Sequence, residues 1–155
     1  MVRAKKHDRN STHLSRNTVF KESIQSHLPK RQAVQTDLAP AAIGPYSQAI
    51  RAGSLLFISG QIPLDPASGH VVEGDAAAQT HRVMQSIGTI LRAAGAGYDQ
   101  VVRTTIFLID LADFAKVNEA YGSYFDAPAP TRATVQVAAL PKGVRVEIDA
   151  IAHLG

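Results

Sequence analysis

Apolar and polar residues alternate in period two over two stretches near the C-terminus, Thr131–Val137 and Val144–Ala150. That is the pattern of half-buried strands. In the first, Ala133, Val135 and Val137 share one face and Arg132, Thr134 and Gln136 the other. In the second, Val144, Val146, Ile148 and Ala150 point one way, Arg145, Glu147 and Asp149 the other. Leu140-Pro141-Lys142-Gly143 between them fits either a hairpin or a longer connection. If the two polar faces meet in one sheet, a guanidinium and a carboxylate line a shared surface, and that surface is the candidate site.

Upstream, Ala39–Tyr46 carries two prolines and a glycine and reads as an ordered loop. Ser47–Ala52 and Leu55–Ser59 predict two short strands joined at Gly53 as a hairpin. A long helix is expected from Gly74 or Asp75 to about Ala94, with Thr80, Val83, Met84, Ile87 and Leu91 at helical spacing and Gly95 as its stop. Val101–Ile109 reads as a strand buried on both faces. Asp110 is placed to cap a second helix through about Phe125, with Phe114, Val117, Tyr121 and Phe125 facing inward. Two strands, helix, strand, helix, two strands predicts an α+β fold, a mixed sheet with two helices packed on one face. An apolar opposite face needs its own cover, which an oligomer supplies.

Composition narrows the picture. At 155 residues and 45% hydrophobic, the chain has room for one domain with a real core. It has no cysteine, which excludes disulfides, thiolate catalysis and Cys-type zinc sites and fits a reducing cytoplasm. No uncharged apolar run approaches the ~18 residues of a membrane span. Charge divides unevenly. Residues 1–36 hold eight Lys/Arg against Asp8 and Glu22, a net +6, whereas residues 37–155 hold eight against eleven Asp/Glu, a net −3. The high overall pI therefore says nothing about a nucleic-acid surface on the folded part.

Residues 1–36 read as a basic extension and 37–155 as the domain. Phe20, Ile24 and Leu28 allow a weak amphipathic helix over 17–28, stopped by Pro29. No apolar segment resembles a secretory signal; the basic, Ser-rich composition leaves a transit peptide open, with Asp8 and Glu22 counting against it. His70, His81 and His153 have no ligand spacing and read as surface residues. Asp110 and Asp113 read as helix-start chemistry rather than a metal pair.

Five blocks then carry a resemblance: Ile43–Ala49, Ser59–Pro63, Asp113–Asn118, Pro130–Arg132 and Leu140–Ile148. In this order they resemble the successive signatures of the RidA (YjgF) family of reactive-intermediate imine deaminases, over about residues 37–154. The resemblance implies a chorismate-mutase-like fold, a homotrimer with sites between subunits, and no metal or organic cofactor. It also implies hydrolysis of 2-iminoacids and their enamine tautomers, released by pyridoxal-phosphate enzymes, to 2-oxoacids and ammonia. Carried over residue by residue, it makes Arg132 the holder of the substrate carboxylate, for which a planar guanidinium fork is suited. Tyr46 positions the attacking water and Glu147 activates it or shuttles its proton. Asn118 stands near the substrate, and Ser59 and Gly60 bring backbone close to it. Many members have cysteine two residues after the arginine; here Thr134 stands there, which removes thiol oxidation and alters the shape and polarity of the substrate cleft. A ribonuclease or translation-inhibitor role, also ascribed to the family, is opposed by the acidic domain and its lack of a basic stripe or stacking platform. A non-enzymatic binding or chaperone role is the third reading.

Overall fold

The structure is a computed structural model and describes residues 30–155. The helix expected over 17–28, and the extension as far as residue 29, lie outside the described residues. Residues 31–155 form one compact unit.

Six strands make one sheet: β1 (Gln32–Val34), β2 (Ala49–Ala52), β3 (Leu55–Gln61), β4 (Val101–Leu108), β5 (Thr131–Gln136) and β6 (Val146–His153), in the order β1-β2-β3-β6-β4-β5. All neighbours are antiparallel except β4 and β5. The helices are α1 (Ala76–Ala93) and α2 (Phe114–Gly122). A parallel pair needs a crossover connection, and α2 supplies the one from β4 to β5.

The expected hairpin is present as β2–β3, turning at Gly53 with φ +62. Helix α1 begins where the sequence placed it. The Asp75 carboxylate accepts from the Ala78 amide at 3.1 Å, filling one of the first-turn donors that have no partner in the helix. It ends at Gly95, whose φ of +76 lets the Ala96 amide turn back to the Leu91 carbonyl at 2.9 Å. Asp110 caps a single 3-10 turn, Leu111–Asp113, by accepting from the Ala112 amide at 2.8 Å, and α2 follows it and stops at Gly122, short of Phe125.

Both helices lie on one face of the sheet. Val83, Met84, Ile87, Ile90 and Leu91 of α1 pack on Leu56 and Ile58 of β3, Ile106 and Leu108 of β4, and Val146, Ile148 and Ala150 of β6, all fully or nearly fully buried. Two expectations need correction, and one open alternative is decided. Strand β4 is not buried on both faces: Thr104, Ile106 and Leu108 are buried while Thr105 and Phe107 are only half-buried, because within the chain helices cover one side alone. Of the two connections open to the C-terminal strands, the structure has the longer one, with β4 lying between β5 and β6. Finally, β1 pairs with β2, Ala33 opposite Ile50, so the sheet begins before residue 37.

The sheet register settles where the two polar faces go. Arg132 lies opposite Thr104, which lies opposite Ala150; Val135 lies opposite Phe107, which lies opposite Glu147. Residues directly opposite share a face. Arg132, Thr134 and Gln136 are therefore on the helix side, at the edge of the sheet. Glu147 and Asp149 are on the open side with Phe107, Val135, Phe57 and Ile151. The two strands bury opposite parities, so the surface expected to unite Arg132 and Glu147 does not exist within one chain.

Candidate active site

Arg132 projects from the edge strand against α2. Its one hydrogen bond among the described residues runs from Nη1 to Asn118 Oδ1 at 2.8 Å. The guanidinium carbon stands 5.2 Å from the centre of the Tyr121 ring and 5.7 Å from that of Phe114. Phe114, Asn118 and Tyr121 recur at helical spacing, so one stripe of α2 meets the arginine. Tyr121 is buried and its hydroxyl shares a 2.7 Å hydrogen bond with Thr104 Oγ1. Burial pushes its phenol above the ordinary value, against the lowering effects of Thr104 and Arg132. Phe114 does not face inward as the periodicity predicts; it is 42% exposed. Thr134 follows Arg132 on the same face, and its hydroxyl oxygen is buried without a hydrogen-bond partner among the described residues.

The other candidates gather on the open side. Glu147 is half-buried, and burial, aided by the neighbouring Asp149 carboxylate, raises its pKa above the usual glutamate range. It lies against Gly60 so closely that a Cβ at that position would collide with its carboxylate. Asp149 is tied to the backbone, accepting from the Thr105 amide at 3.0 Å. Gly60 and Tyr46 border a cavity of about 330 Å³ with Ile43, Gln61 and Lys142. Tyr46 is half-exposed, its hydroxyl accepting from the Ile43 amide at 3.3 Å. Ser59 is engaged structurally: its hydroxyl donates to the Ser47 carbonyl at 2.7 Å, fastening the end of β3 to the loop that carries Tyr46.

Sequence reasoning missed Gln48. It is 5% exposed, and its amide nitrogen donates to the Pro40 carbonyl at 2.8 Å and the Thr36 carbonyl at 3.0 Å while its oxygen accepts from the Thr36 amide at 2.8 Å. This one side chain shapes the loop before Tyr46, and a glutamine opening a strand gave no periodic signal of that. Arg145 turns away from Glu147 and pairs with Asp113 at 2.6 Å. Asp113 thus has an ion-pair role besides its place at the start of α2. His70, His81 and His153 are exposed. Among the described residues no group of three or more His, Asp or Glu is placed to hold a metal ion, and no helix is long and apolar enough to cross a membrane.

A family model described as Endoribonuclease L-PSP matches residues 36–154. The chain belongs to that family, the RidA/YjgF family. Among RidA relatives, Protein DfrA of Myxococcus xanthus is 59% identical over 124 residues, spanning 79% of this chain and 95% of its own. The 2-iminobutanoate/2-iminopropanoate deaminase of Mus musculus is 50% identical over 125 residues, 81% of this chain and 93% of that one. The crystal structure of RidA from an Antarctic Psychrobacter superposes with a TM-score of 0.76 at 47% identity, covering 79% of this chain and 98% of the other. The sheet order and one-sided helical layer described above are thus those of a RidA fold.

Proposed function

We propose that the protein hydrolyses 2-iminoacids and their enamine tautomers to 2-oxoacids and ammonia, scavenging reactive imines that pyridoxal-phosphate enzymes release in the cytoplasm. The observation that carries this reading is the Arg132 guanidinium, exposed, held at one nitrogen by Asn118 and otherwise open. A fork so presented suits bidentate binding of a planar carboxylate, the group common to all such substrates. The names of relatives at about half identity support the same chemistry.

In the proposed reaction, Arg132 binds the substrate carboxylate and water adds to the C=N carbon. Glu147, whose pKa burial and Asp149 raise, takes the water proton and returns it to the nitrogen. The carbinolamine hydroxyl then gives up its proton, which the same carboxylate passes to the nitrogen; the C=O bond forms as the C–N bond breaks and ammonia leaves, with Tyr46 orienting the water. Gly60 and Ser59 shape the wall beside Glu147, and Thr134 shapes the wall beside Arg132. No cofactor enters this scheme. Because Arg132 and Glu147 occupy opposite faces, a second copy must complete the site. The apolar Phe57, Phe107 and Val135 on the open face offer the surface for it, and a homotrimer with three interfacial sites meets the requirement.

The test couples an amino-acid oxidase to the purified protein and traps surviving imine with semicarbazide. Trapped product should fall in proportion to added protein; an unchanged yield across several amino acids would overturn the assignment. The family description also names an endoribonuclease. The −3 charge of residues 37–155 leaves that reading only the basic extension as a phosphate contact, and RNA cleavage that disappears with the extension would identify it.

A further inference from the structure

Arginine is a flexible side chain, with about 2 kcal/mol of rotamer entropy to lose when it is fixed. Here the structure fixes it before any substrate arrives. Both ring centres, at 5.2 and 5.7 Å, are within the ~6 Å at which an aromatic face attracts a guanidinium. The Tyr121 ring is itself held on several sides: it is 4% exposed, packs on Phe125 with centres 4.8 Å apart, and is tied by its hydroxyl to Thr104. Thr104 is the residue directly opposite Arg132 in the β4–β5 register. A closed circuit results, from the Arg132 backbone across the strand pair to Thr104, through its hydroxyl to Tyr121, and back through the ring to the guanidinium.

We propose that Tyr121 and Phe114 are positioning residues for Arg132, holding the guanidinium plane between them while Asn118 occupies Nη1, so that the Nε–Nη2 edge is presented to a carboxylate. This rests on the reading of Arg132 as the carboxylate receptor. Packing alone accounts for a buried ring at Tyr121, and the buried hydroxyl pair with Thr104 satisfies both groups. Packing does not account for Phe114, which leaves nearly half its surface in solvent beside the charged group. The arrangement reduces the ordering cost at binding and sets the plane in which the substrate carboxylate, and with it the C=N bond, must lie.

The experiment follows the Arg132 Nε–Hε signal by NMR and the affinity for 2-oxobutanoate, a stable 2-oxoacid, in the full chain. Variants are Tyr121→Leu, Tyr121→Phe, Phe114→Leu and Arg132→Ala. Loss of either ring should move the Arg132 signal and weaken 2-oxobutanoate roughly two- to fivefold, the range for an exposed cation–π contact. In imine turnover it should raise KM more than it lowers kcat. Tyr121→Phe should restore both the signal and most of the affinity. Unchanged signal and affinity in the leucine variants, with affinity lost in Arg132→Ala, would overturn the positioning role and leave the receptor reading intact. Affinity unchanged in Arg132→Ala would remove the receptor reading and this proposal with it. If Tyr121→Leu does not fold, Phe114→Leu, at the exposed ring, decides the matter alone.

Discussion

Arg132 and Glu147 project from opposite faces of the same sheet, one on the helix side of the β5 edge and the other on the open side of β6. On the proposed roles of the two groups, the carboxylate receptor and the proton acceptor of a folded single chain cannot serve the same small molecule.

Hybrid assemblies test this directly. Arg132→Ala and Glu147→Gln should each be inactive as pure proteins. Mixed by co-refolding, they should regain activity, because some interfaces then join an intact arginine to an intact glutamate. Random assembly of equal amounts predicts about a quarter of the sites restored. Turnover that stays at the level of the separate variants, in mixtures shown by mass spectrometry to be hybrid, would place both groups in one chain's site after all. Light scattering on the wild type should report three chains.

The N-terminal boundary shows what the sequence concealed. Helix α1, the β2–β3 hairpin and the alternation of β6 were legible, because each buries a periodic apolar set against the core. β1 was not: Gln32–Val34 is a three-residue edge strand joined to β2 through its backbone, and backbone pairing leaves no trace in side-chain pattern. The candidate residues were legible through family resemblance. Their separation onto two faces was not, since period two fixes parity within a strand but never which parity faces the helices. Removal of residues 1–30 should therefore leave the urea midpoint unchanged. Removal of 1–36 takes away β1 and the Thr36 partners of Gln48, and at about 1 kcal/mol per net hydrogen bond should cost about 2–3 kcal/mol. Equal midpoints for the two truncations would show that β1 contributes nothing.

Glu147 should leave a signature in the pH dependence of stability. Its native pKa is raised above the ordinary 4.5, by burial first and by Asp149 second. The native state thus holds this proton more tightly than the unfolded chain does. The resulting stabilisation is complete below the unfolded value and is lost as pH rises through the native one. Glu147→Gln has no such loss. Between pH 4 and pH 7 the wild-type urea midpoint should fall relative to that of the glutamine variant. A relative rise would mean that the carboxylate is stabilised as an anion, contrary to its burial beside Gly60 and Asp149. In catalysis, kcat/KM of the wild type should climb along a limb whose midpoint also lies above the ordinary glutamate value.

Arg132→Ala separates binding from folding. A hydrogen bond to a charged group contributes about 1.5–3 kcal/mol, so its loss alone should lower kcat/KM about ten- to a hundredfold. The full loss should exceed this, because an imine without its anchor also loses alignment with the attacking water. Stability should change little. The side chain is exposed, its single hydrogen bond goes to an exposed asparagine, and no carboxylate pairs with it among the described residues, so no buried charge is stranded. Arg132→Lys keeps the charge but has no planar fork and cannot stack on Phe114 and Tyr121 in the same way, so it should recover only part of the lost rate. Thermal midpoint and imine turnover, measured on the same preparations, distinguish the two roles. Turnover lost with the midpoint kept identifies a substrate contact. Both lost together would make Arg132 a structural clamp between β5 and α2, and turnover retained would end its assignment to the site.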